Sequence, residues 1–134
     1  MRLRVSASLV LAIAGAVSIS CGGITDPSQN TMTPISGTIA PGQARQHSFS
    51  ASQTGEIQVK LLTLTPASVP YLGMQWVQGA SDGSCTGNQL QVNLAPANTT
   101  AISAQIVSGN YCIIVYDPGN LTQTASYTGT ISHP

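Results

Sequence analysis

EIQVKL, residues 56–61, alternates a polar side chain with an aliphatic one at every step. Ile57, Val59 and Leu61 fall on one side of an extended chain and Glu56, Gln58 and Lys60 on the other, as in a strand with one face in a core and one in water. A helix would bring apolar residues back every third or fourth position, and here they return every second. Leu62 and Leu64 then break the phase. Either a bulge near Leu61 resets it, or neighbouring loops cover the outer face at that point.

The same period of two recurs on both sides of this stretch. Upstream, Ile35, Gly37 and Ile39 share a face, residues 40–43 (APGQ) make a turn, and a strand follows over 45–51. Downstream, Pro70 can start but hardly continue a central strand, so the next strand is placed at 71–77, with Leu72, Met74 and Trp76 on one face. The polar loop 79–87 carries Cys85, residues 89–94 form a short strand, and 96–100 connect it to a segment where Ile102, Ala104 and Ile106 alternate with Ser103 and Gln105. Residues 108–110 turn the chain into YCIIVY, 111–116, which is apolar on both parities and is expected in mid-sheet with both faces covered. The last strand, 124–131, places Ala125, Tyr127 and Ile131 inward and Ser126, Thr128 and Thr130 outward. Seven or eight such strands from residue 35 onward, with no sustained helical period, predict an all-β antiparallel sandwich over 35–134.

Residues 21–34 are polar, rich in turn formers and poor in anything to bury, and read as a flexible tether. Ahead of them stand Arg2 and Arg4, a mostly apolar run from Leu9 to Ile19, and small residues around Cys21, the layout of an export signal over 1–20. The run is too short for a membrane-spanning helix, which needs about twenty apolar residues. Ser18, Ile19, Ser20 and Cys21 resemble a lipobox, with Ser18 where such signals usually carry Leu, Val or Ile. Acylation of Cys21 is therefore the expectation, and the membrane, reached through that lipid, the first partner. A cut after Ala14 or Ala16 by an ordinary signal peptidase is the alternative, and it would yield a secreted chain. Gly22 carries no acid of the kind that retains lipoproteins at the inner membrane, which points toward the outer one.

Removing residues 1–20 leaves 114 residues, enough for one domain with a sizeable core. Its charges are Arg45 and Lys60 against Asp26, Glu56, Asp82 and Asp117, about −2 in all. That balance argues against nucleic acid and against an anionic membrane surface, both of which call for a basic patch. Cys85 and Cys112 are the thiols left once Cys21 is acylated, and in an oxidising compartment they are expected to pair. His47 and His133 stand alone, without the spacing of a zinc site, and no cofactor motif is present.

Three stretches carry a resemblance to a known family. Residues 36–49 (SGTIAPGQARQHSF), 109–121 (GNYCIIVYDPGNL) and 127–131 (YTGTI) together resemble the bacterial pre-peptidase C-terminal domain, over roughly 34–134. The resemblance implies a compact antiparallel sandwich of the jelly-roll type, with Tyr111, Ile113 and Val115 facing the core. Phe49 takes the second place of the family's aromatic pair, and His47 stands where the family often has Tyr. It also implies an accessory rather than a catalytic part. Some relatives bind calcium through clustered acids, whereas Thr33, Pro34 and Ile35 at this point offer none.

The remaining candidates divide between chemistry and architecture. Asp117 in DPGN, 117–120, and Asp82 beside Cys85 could each lend oxygens to calcium, but that ion takes six or more ligands and DPGN is first of all a turn. Trp76, Tyr71 and Tyr116 could form a stacking platform for sugar rings, although the parity Trp76 shares with Leu72 and Met74 favours burial. His47 shares a parity with Phe49 and is expected half-buried and hydrogen-bonded, since no nucleophile elbow accompanies it. The sequence thus reads as a non-catalytic envelope lipoprotein displaying a disulfide-stapled sandwich in a structural or interaction role. The alternative is an accessory module that binds a polysaccharide or a peptide of an envelope protein through loops or an exposed strand edge.

Overall fold

Two four-stranded antiparallel sheets face each other in the computed structural model, which describes residues 26–134. The export segment 1–20, Cys21 and residues 22–25 lie outside the described residues. The strands β1 to β8 are Thr31–Ile39, Ala44–Ala51, Gly55–Thr65, Leu72–Gln78, Gln89–Ala95, Thr99–Ile106, Gly109–Tyr116 and Ala125–His133. One sheet runs β1-β8-β3-β6 and the other β2-β7-β4-β5. That order is the eight-stranded jelly roll, two interlocked Greek keys; the period-two pattern implies the sandwich, and the family resemblance implies the jelly-roll type.

Alternation places the core between the layers. Ile35 and Ile39 of β1, Ile57, Val59 and Leu61 of β3, and Ala125, Tyr127 and Ile131 of β8 meet Leu72, Met74 and Trp76 of β4 and Tyr111, Ile113 and Val115 of β7. At one end of the sandwich the core is aromatic. Phe49 stacks on Tyr111 at 5.8 Å between ring centres, Trp76 tilts against Tyr111 at 5.8 Å, and His133 lies 5.0 Å from Phe49. Such pairs add directional attraction to the area they bury.

The broken phase after Leu61 is a bulge. Leu61 pairs with Gly129 of β8 and Thr63 with Thr128, so Leu62 is the extra residue and Leu64, now opposite Tyr127, returns to the core side. Gly129 is required here by space. A Cβ at that position would lie 2.6 Å from the Lys60 carbonyl oxygen, a backbone atom that cannot swing away. Gly129→Ala is therefore expected to cost about 1–3 kcal/mol, read as a lower urea midpoint at unchanged m-value. An unchanged midpoint would mean that the two backbones are farther apart than this.

Several strand ends shift by one or two residues from the sequence reading, and two larger differences have an identifiable cause. β1 begins at Thr31 rather than residue 35, so Thr31 to Pro34 belong to the sandwich and not to the tether. Pro34 is tolerated because β1 is an edge strand, paired with β8 alone. What fixes the early start is side-chain bonding outside the apolar pattern. Asn30 donates to the Glu56 carbonyl at 2.9 Å and to Ser132 Oγ at 3.1 Å, and Thr33 Oγ1 lies 3.1 Å from His133 Nε2. Before it, a short 3-10 turn over Pro27–Gln29 is capped by Asp26. The second difference is β6, which starts at Thr99, since Asn98 at φ 61° compresses the expected 96–100 connection into a tight turn.

YCIIVY lies where its double parity places it, in the middle of a sheet between β2 and β4. Tyr111, Ile113 and Val115 face the core, while Cys112, on the other side, is fully buried and disulfide-bonded to Cys85. Because that bond ties the loop between β4 and β5 to β7, the loop lies over the outer face of this sheet.

Candidate functional site

His47 and Tyr127 meet across the core from opposite sheets. His47 Nε2 lies 2.5 Å from Tyr127 Oη, and the rings sit edge to face at 5.9 Å. With both groups neutral, the phenol donates and the ring nitrogen accepts. Burial holds the His47 pKa below its ordinary 6.5, with a smaller push from the Arg45 charge, and burial pushes Tyr127 up to about 12. The environment thus keeps both partners uncharged. This is the half-buried, hydrogen-bonded histidine expected from sequence, but its partner Tyr127 was foreseen only as a core residue. A base poised for catalysis needs a nucleophile in reach, and the hydrogen-bond partner of His47 is a phenol held in the core.

The two acids occupy separate turns. Asp117 Oδ2 accepts from the Gly42 N–H at 2.8 Å, while Oδ1 accepts from Gly119, Asn120 and Leu121 at 2.8, 3.0 and 3.2 Å. The Gly42 bond is the largest cause of its lowered pKa. This carboxylate knits the turn after β7 to the turn after β1. Asp82 Oδ1 accepts from the Ser84 N–H at 2.9 Å, and that bond lowers its pKa. The Asp82 loop reaches the Asn110 end of β7, through the bond from Gly79 N–H to the Asn110 carbonyl, whereas Asp117 follows Tyr116 at the other end. An eight-residue strand separates its ends by about 23 Å, so the two acids do not share a cation. Among the described residues no group of three or more His, Cys, Asp or Glu is placed to hold a metal.

Cys85 and Cys112, 27 residues apart in sequence, are bonded, with Cα atoms 5.6 Å apart. Between the loop they anchor and the end of β2 lies an open concavity of about 300 Å³, lined by Ser48, Ser50, Ala80, Asp82 and Asn110 among others. Its wall is partly self-satisfied, since Ser50 Oγ donates to Asn110 Oδ1 at 2.7 Å.

The three aromatic candidates are not brought together. Trp76 faces the core, is 6% exposed, and has no hydrogen-bond partner for its indole Nε1. Tyr116 has the opposite parity to Tyr111, Ile113 and Val115, so it stands on the outer face of its sheet, half-buried. There it covers Gly73, where a Cβ would lie 2.3, 2.5 and 2.6 Å from three adjacent ring atoms, Cζ, Cε2 and Cε1. Near-equal distances to three neighbours mean that the face of the ring, and not its edge, covers the glycine. Tyr71 precedes β4, and its carbonyl accepts from Asn120 Nδ2 at 3.2 Å. The missed signal was Gly73 itself, since a glycine inside an apolar strand marks a place where something approaches the backbone closely.

No family model matches the chain, and no curated protein matches it either. Among solved structures it is similar to the pre-peptidase C-terminal domain of a collagenase from Bacillus anthracis, with a TM-score of 0.52 and 20% identity, covering 74% of this chain and 87% of that one. A looser likeness, TM-score 0.38 and 14% identity over 83% of this chain and 95% of the other, is to Bacillus endospore appendages described as disulfide-linked pili. The first likeness shows the fold: the chain is a pre-peptidase C-terminal-like β-sandwich.

Proposed function

We propose that the processed chain is a non-catalytic lipoprotein of the bacterial cell envelope, displaying its disulfide-bonded sandwich in a structural or interaction role. The observation that carries this reading is the Cys85–Cys112 bond. Such bonds form and persist in oxidising compartments, which supports the export signal read over 1–20 and, with it, acylation at Cys21. His47, Asp82 and Asp117 each take part in structural hydrogen bonds, which favours display over chemistry. Gly22 favours the outer membrane over the inner, and a chain left unacylated at Cys21 would be secreted.

Intact mass of the protein from bacterial membranes tests this directly. The expected species begins at Cys21, carries the mass of a diacylglyceryl thioether, and lacks two hydrogens at Cys85 and Cys112. Cys21→Ala should move the protein from the membrane to the soluble fraction. An unmodified chain starting at Gly15 or Val17 would replace this reading with simple secretion. The polysaccharide-binding alternative is favoured by one observation, the uncharged outer face on which Tyr116 lies.

A further inference from the structure

Cross-strand register assembles that face row by row, because directly paired residues project to the same side of a sheet. Tyr116 pairs with Ala44 of β2 and with Gly73 of β4, and Gly73 pairs with Leu94 of β5. The next row is Gln46, Ile114, Gln75 and Val92. The row after it contains Cys112 and Val77, both buried beside the disulfide-anchored loop, which bounds the face on that side. Two open rows remain, crossing all four strands.

None of the eight residues in these rows is charged. Leu94 is 54% exposed and Val92 39%, and both stand on this face of the edge strand β5. Between them and β2, Tyr116 has one ring face down on Gly73 and hence the other turned away from the sheet. Gln75 donates through Nε2 to Gln89 Oε1 at 2.7 Å, which leaves its own Oε1 free to accept. Gln46 lies exposed at the far side of the row.

We infer that this face binds a neutral polysaccharide, with the Tyr116 ring as its stacking platform. Charge and area choose the occupant. A nucleic acid, an acidic polymer or a basic peptide would find no counter-charge in either row. A second copy or another folded protein needs roughly 800 Å² from each partner, whereas two rows over four strands measure only about 15 Å by 7 Å. That footprint suits a few sugar rings, whose C–H faces pack on an aromatic plane and on aliphatic side chains while their hydroxyls bond to flanking amides. The inference deepens the display reading and rests on it only for where the ligand is met.

The test uses the full processed protein, purified after export, on an array of neutral and acidic oligosaccharides, with the strongest neutral hexasaccharide carried into NMR titration. Chemical shifts are expected to move in the rows of Tyr116 and Ile114. Tyr116→Leu, which keeps Gly73 covered, should weaken binding about tenfold or more at unchanged melting temperature, and Tyr116→Phe should bind within about twofold of the parent. Absence of any neutral binder, binding of acidic glycans alone, shifts confined to the 79–88 loop, dimerisation through this face, or a Tyr116→Leu variant of full affinity would each overturn it. A failed export reading would change where the protein is found and leave these titrations as they are, so the two failures are distinguishable.

Discussion

Replacing both Cys85 and Cys112 with alanine is expected to lower the unfolding free energy by about 3.5 kcal/mol, the entropy of closing a loop of roughly 28 residues in the unfolded chain. For a domain of this size that corresponds to a fall of about 15 °C in melting temperature. The effect has a local side as well. The bond holds the loop between β4 and β5 on the outer face, and with it the burial of Cys112 and Val77, which otherwise turn apolar surface to water. Amide exchange in residues 79–88 should therefore accelerate more than in β8, which sits in the other sheet. Parent protein melted in reductant should match the double variant. A melting temperature within about 3 °C of the parent would mean that the loop is held by its own packing and that the cross-link contributes little.

How far the residues announced this structure depends on which interactions fixed each feature. EIQVKL and YCIIVY were legible because burial of alternate side chains is itself a pattern in sequence, and that pattern gave the two-layered sandwich, whereas the jelly-roll type came from the family resemblance. The phase break at Leu62 was visible but its cause was not, since a bulge is decided by the partner strand, here β8 with Gly129. The start of β1 was illegible for a similar reason: Asn30 and Thr33 are held by Glu56, Ser132 and His133, about 26 to 102 positions away, and polar side chains leave no periodic trace. The candidate aromatics show the same limit. Parity located Trp76 correctly as a core residue, but the pairing of Tyr116 with Gly73 depends on strand order, which alternation alone does not encode.

The His47–Tyr127 bridge leads to the other large effect. Tyr127 is buried in the midst of the core, so Tyr127→Ala is expected to cost about 3–5 kcal/mol through lost packing and the cavity left behind. Tyr127→Phe keeps the ring and removes only the hydroxyl, which leaves His47 Nε2 without its partner, at a cost of about 1–2 kcal/mol. The pH profile separates bridge from bulk. His47 has a folded pKa below its unfolded 6.5, so the unfolded chain binds more protons there, and stability declines as pH falls below about 6.5. Tyr127 is raised from 10.0 to about 12, so the folded chain keeps its proton longer, and stability is full below pH 10 and is lost as pH rises toward 12. Denaturant melts across this range should give a plateau from about pH 6.5 to 10 that falls away on both sides. Tyr127→Phe should abolish the alkaline decline of this group while keeping the acid one, and His47→Gln should do the reverse. If Tyr127→Phe left the alkaline limb of the profile unchanged, the phenol would not be the group that burial protects.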